Sequence, residues 1–287
     1  MVGYYIVKVI PRLILLLIGL FFGLLLWYFG IGYLYLLVYH GVRIPRGAVS
    51  LQDFIQSHVW LGLVITLHGT AILGTTYAFR KHIPTALGVS LLLLILTLLS
   101  ITTAFVFERI TPFASTKWPI SSAIEHKTGT LLIFDSQKEL IITPNKQPLV
   151  IQALLPKQNK LIDSILQDGR ELGRQFAVFW GKGFLPFSVF IVCMLYFLTA
   201  LGPIFSFSAW PLANLLLGLL FARFALWIQV FLFSEPVLQL ISAIAKPIMP
   251  DAIQPYIALV FLFLLGTILH LFAILMYLSK DREKLNE

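Results

Sequence analysis

Apolar and polar residues are segregated along this chain on the scale of whole segments. Six apolar runs, 13–38, 60–79, 86–107, 184–205, 211–233 and 256–278, are split three and three by one polar stretch, 108–182. About 20 apolar residues, at 1.5 Å rise each, cross a 30 Å hydrocarbon layer. Backbone polar groups inside lipid must be satisfied within the segment, so separated runs of this length predict helices. The expected fold is an all-α polytopic membrane protein with six transmembrane helices, three before and three after a small extracytoplasmic β/α insert. The domain plan is an N-terminal three-helix half (1–107), the insert (108–182) and a C-terminal three-helix half (183–287).

The insert follows a different pattern. Runs 129–135 (GTLLIFD), 139–143 (ELIIT) and 149–155 (LVIQALL) are rich in β-branched and apolar residues, and DSQK and PNKQP between them are turn-type sequences. They predict a three-stranded antiparallel meander. From 159 to 180 the spacing becomes helical, with Leu161, Ile165, Leu172 and Phe176 recurring at helical steps or their multiples. The stretch 237–249 has the spacing of an amphipathic helix lying on a membrane surface.

Composition agrees with a lipid environment. The chain is 59% hydrophobic and 12% charged, against roughly 45–50% and 25% in soluble domains. The single Cys193 excludes an internal disulfide framework and reads as a small buried hydrophobe. Residues 1–12 carry Lys8 and Arg12 ahead of a first run too long for a signal-peptide core, which reads as a retained signal anchor.

The net charge of +8 matters by its location. Lys8, Arg12, Arg80, Lys81, Lys280, Arg282 and Lys284 fall on one side, and Arg43, Arg46 and Lys246 on the other. The positive-inside rule places both termini in the cytoplasm and the insert outside, in a multi-pass protein of the cell inner (plasma) membrane.

Few residues carry candidate chemistry. Arg223 stands near the middle of the fifth run, where an arginine costs about 2.5–3.5 kcal/mol on translocon scales. The runs contain no Asp or Glu. Its partner is therefore sought at an end residue such as Glu108 or Glu235 folding inward, at carbonyls of a helix break, on the face of Trp227, or at a lipid phosphate. An arginine that snorkels or bonds within the bundle is the purely structural alternative. His68 and His270 are the other ionisable groups within the runs. In the orientation above, His68 lies about 12 Å from the outer boundary, Arg223 about 15 Å and His270 about 21 Å. His68 and Arg223 share a cavity if the second and fifth spans are neighbours. A lone histidine beside small residues is more often a neutral interhelical hydrogen-bond donor. Arg43 and Arg46, with His40, form a basic cluster at the outer end of the first span, suited to phosphate forks or to general headgroup contact. The candidate ligand- or lipid-binding residues are thus Arg223, His68, Trp227, Arg43, Arg46 and His270.

No GxxxxGK[ST], HExxH, Cys/His metal spacing or GxSxG occurs. No catalytic, metal or cofactor site is expected, and an enzyme reading is disfavoured.

The layout resembles the lipopolysaccharide-export permeases, the paired F- and G-type membrane subunits of that ABC exporter. The resemblance covers the whole chain as topology and, more locally, GLLLWYFGIGYLYLLVYHGVRIPRG with the following span and ELGRQFAVFW before the fourth. It implies a cavity opening sideways to the outer leaflet, with Arg43 and Arg46 near lipid phosphates. Between the second and third spans, only Arg80, Lys81, His82 and Ile83 precede Pro84, too few for that family's coupling helix.

The function expected is that of a non-enzymatic membrane subunit for lipid or amphiphile transport or handling. Its expected partners are membrane lipids and proteins, among them another membrane subunit or an ATPase on a separate chain, with no nucleic acid. The alternative is a structural or assembly subunit of a larger complex that docks a partner through 108–182.

Overall fold

The computed structural model describes residues 8–40, 51–81, 83–110, 122–125, 131–135, 138–142, 149–151, 160–203, 210–245 and 254–286. Eight α-helices are seen among them: α1 (Ile10–His40), α2 (Leu51–Arg80), α3 (Thr85–Ile110), α4 (Lys160–Gly181), α5 (Phe184–Thr199), α6 (Pro211–Leu232), α7 (Glu235–Ala245) and α8 (Gln254–Asn286). Four short strands form an antiparallel sheet in the order β1 (Ser122–Glu125), β2 (Leu131–Asp135), β3 (Lys138–Ile142), β4 (Leu149–Ile151). In the register of β2 and β3, Ile133 is opposite Leu140 and Asp135 is opposite Lys138 along the backbone. β1 is an element that the sequence pattern did not reveal, because SAIE is too short to show alternation.

Among the described residues, five helices are long and apolar enough to cross a membrane: α1, α2, α3, α6 and α8. The fourth apolar run differs from its expected 184–205. Its helix, α5, has 16 residues, about 24 Å of rise against a 30 Å hydrocarbon layer. The helix ends in tightened i→i−3 bonds, Ala200 N–H to Phe197 O and Leu201 N–H to Leu198 O. Gly202 and Pro203 continue as a tighter 3₁₀ turn, and Pro203 has no N–H to bond back along the helix.

The polar side chains of α2 are turned to the interior of the bundle. α2, the least apolar of the five, has 72% of its spanning window buried, whereas the other four have 17–28%. Thr66, Thr70, Thr75 and His68 on α2 are thereby kept from lipid, while the leucine-rich helices can face it. α2 and α5 run side by side in the same direction. Trp60 meets Phe187 at one end, and the Thr76 hydroxyl donates to Gly202 O at 3.4 Å at the other.

Helices α4 and α5 form a hairpin about Lys182 and Gly183. Gly183 has φ +112°, a region closed to side-chain-bearing residues. Phe176 packs edge-on to both Phe187 and Phe190, and Phe179 stacks on Phe190 at 4.6 Å. Phe233 at the end of α6 closes the cluster at 5.5 Å from Phe190. Phe190 is fully buried at its centre. Phe190→Ala is therefore expected to cost about 3–5 kcal/mol, checked by unfolding in detergent.

Amphipathic α4 is pressed against the bundle. A Cβ on Gly173 would lie 3.2 Å from Leu61 N and 3.3 Å from Trp60 C, so α4 rests on the backbone of α2. Leu172, Phe176 and Phe179 are buried on that face, and Arg174 is exposed on the other.

Candidate functional site

Arg223 is paired. Its Nη1 lies 2.6 Å from Asp168 Oδ2 on α4, and its Nη2 donates to Ser164 Oγ at 2.9 Å. The Nη1–Oδ2 contact is an ion pair rather than a well-angled hydrogen bond, since neither buried atom has a hydrogen-bond partner. The pair is not sealed, with side-chain exposures of 27% for Arg223 and 19% for Asp168. The partner is thus a carboxylate, but neither of the expected end residues Glu108 and Glu235. The runs themselves lack acids, but α4 brings one in.

Asp168 reaches it because α4 runs alongside α6. Phe179 meets Phe233, and Asp168, eleven residues earlier, meets Arg223, ten residues earlier than Phe233. The two helices thus stay together, pointing the same way, for about 15 Å. A legible signal existed. Asp168 falls in the apolar series Ile165, Leu172, Phe176 and Phe179, at the one inward position not occupied by an apolar side chain. An acid in the buried stripe of an amphipathic helix calls for a buried base.

Trp227 does not serve as the partner of Arg223. It stacks between Phe224 at 5.8 Å and Phe231 at 5.4 Å, on the exposed side of α6. The three rings make a ladder along the helix beside the ion pair.

His68 contacts α6 at a different place. Its Nδ1 lies 2.8 Å from Val64 O and its Nε2 3.1 Å from Gln229 Oε1. A carbonyl only accepts, so Nδ1 carries the proton, and a neutral ring then presents a lone pair at Nε2. Gln229 is fully buried and its Nε2 otherwise lacks a partner. Turning the amide over lets that N–H donate to His68 Nε2, which satisfies both groups, and this is the assignment the chemistry requires. Gln229 is six residues from Arg223, about 9 Å along α6. The second and fifth spans do meet, but His68 and Arg223 have separate partners. Gln229→Leu is expected to destabilise by about 0.5–2 kcal/mol, the usual scale for an interhelical hydrogen bond, checked by thermal unfolding in detergent.

His270 joins α8 to α5. Its Nε2 lies 3.2 Å from Tyr196 O and 3.0 Å from Thr199 Oγ1, with the Tyr196 ring tilted beside it at 4.8 Å. Close approach here depends on Gly266, where a Cβ would lie 3.1 Å from Phe197 Cα. Arg43 and Arg46 lie outside the described residues.

The structure thus places Arg223 and Trp227 on one stretch of α6, His68 on a second contact of that helix, and His270 on another helix pair. Sequence reasoning missed Asp168, Ser164 and Gln229. Among the described residues no group of three or more His, Cys, Asp or Glu is arranged to hold a metal ion. Compared with protein-family models, with curated proteins and with solved structures, the chain matches none.

Proposed function

We propose that this chain is a non-enzymatic integral membrane subunit that handles a lipid or similar amphiphile, with Arg223 as its headgroup contact. The observation supporting this is a partly exposed ion pair on a spanning-length helix, beside an exposed aromatic ladder. An anionic headgroup can compete with Asp168 for the guanidinium, whose planar fork suits phosphate. The Phe224–Trp227–Phe231 face then takes the acyl chain. In this reading α5 completes a sixth passage, shielded from lipid by its neighbours. Both termini face the cytoplasm of an inner-membrane protein, and the sheet lies outside. The kinship proposed is with the lipopolysaccharide-export permeases, with energy supplied by a separate chain.

Arg223→Ala is expected to abolish co-purification of phospholipid or glycolipid, read by lipid mass spectrometry, while Arg223→Lys retains part of it. Unchanged lipid content together with unchanged thermal stability would overturn this reading.

A second reading, an assembly subunit, is favoured by the sheet order, which leaves β1 and β4 as edges. Edge strands can be extended by a partner's strand. It predicts co-purification of a membrane or extracytoplasmic protein that is lost on deleting 129–155. A lone monodisperse monomer, active without a partner, counts against it.

A further inference from the structure

A cavity of about 260 Å³ lies where α2 turns into α3, enclosed by the ends of α2 and α5, the start of α3 and one side of α8. Phe79, Val89 and Ile274 are among its apolar walls, the buried Thr75, Thr199 and His270 supply polar atoms, and the exposed Thr85 adds a fourth polar side chain. No Asp, Glu, Lys or Arg lines it among the described residues.

The hydrogens of the three buried groups are already committed. The Thr75 hydroxyl donates to Ala71 O, and the Thr199 hydroxyl donates to Tyr196 O at 2.7 Å. Tyr196 O only accepts, so its 3.2 Å contact with His270 Nε2 puts the ring proton on that nitrogen. A neutral imidazole in this tautomer has a lone pair at Nδ1. All three side chains are thereby left with acceptor capacity and no free donor. A ligand that bonds to these three buried groups must bring the donor itself. A cation also brings donors, but burying a charge with no carboxylate beside it is costly. The volume is just below the roughly 300–1,000 Å³ of typical ligand sites, enough for one short chain and not for a two-chain lipid.

We infer that this cavity binds a small uncharged alcohol, with an apolar body along the Phe79–Val89–Ile274 walls and one hydroxyl donating to His270 Nδ1 or a threonine oxygen. The site is separate from Arg223 and does not depend on the function proposed above.

The test is photolabelling of the purified full chain in detergent with a diazirine analogue of 1-octanol, mapped by peptide mass spectrometry. Saturable labelling is expected within 79–89 and 270–274. 1-Octanol should compete about tenfold better than 1-methoxyheptane, which has the same length but no donor, the difference one hydrogen bond makes. Ala273→Phe, or Val89→Trp if the first variant does not assemble, should remove this label and leave labelling of the exposed face of α6 unchanged. Labelling that does not saturate, or that survives a filled cavity in a variant of unchanged thermal stability, overturns the site. Equal competition by the ether overturns hydroxyl recognition.

Discussion

Replacing Asp168 with alanine is expected to lower stability by about 2–4 kcal/mol, although Asp168 lies in none of the apolar runs. The substitution leaves the Arg223 guanidinium in a largely buried seam with only the Ser164 hydroxyl. Removing one partner of a fully buried pair costs about 3–5 kcal/mol, most of it from the charge left behind. The lower range applies here because 27% of the Arg223 side chain remains accessible. Arg223→Met should cost a similar amount, since it strands the carboxylate. The double variant Asp168→Leu with Arg223→Met should recover most of the loss, because two apolar side chains can replace a buried pair at little net cost. Thermal unfolding of the four proteins in one detergent closes the cycle. If the two single losses simply add, the residues are not coupled and the pair has no energetic role.

Gly202→Val is expected to be the most damaging substitution at a helix contact. A Cβ at Gly202 would lie 2.5 Å from Thr75 Cβ and 3.0 Å from Thr75 backbone C, so no rotamer change can relieve the overlap. Forcing atoms into a packed interior costs typically 1–3 kcal/mol and sometimes more. A branched residue against backbone belongs at the upper end, at about 3 kcal/mol or above. The consequence is specific, because this contact holds α2 against the end of α5. Gly23→Ala on α1 is the matched control, since nothing lies within 4 Å of its added carbon. Its effect should be within about 1 kcal/mol, with alanine the better helix former. Similar losses at both positions would mean that glycine matters here through general helix flexibility and not through close contact.

How much of this was legible in the sequence differs from element to element. Helices at α1, α3, α6 and α8 follow from unbroken apolar runs, because lipid leaves the backbone no other partner. Helical spacing likewise marked α4. Local pattern gave no reason to end the fourth helix at Thr199, since 200–205 is as apolar as what precedes it. Only Gly202 and Pro203 hinted at the stop. The partner of Arg223 was missed for a related reason. The acids nearest the runs, Glu108 and Glu235, are the ones local sequence suggests, whereas Asp168 arrives from a helix more than 50 residues earlier. Trp227, one turn from Arg223, was a reasonable local choice, but ring stacking with Phe224 and Phe231 points it along the helix surface.

Apolar runs of this length already place the chain in a membrane, mark most of its helices and single out the few polar side chains among apolar ones. Those properties depend on neighbours within a turn or two, and on the cost of placing peptide groups in hydrocarbon. The central place of α2 and α5, the packing of α4 against α6, and the three different sets of partners of Arg223, His68 and His270 come from how the helices pack. Such pairings depend on which helix faces meet, and side-chain pattern along one helix does not specify the face of another.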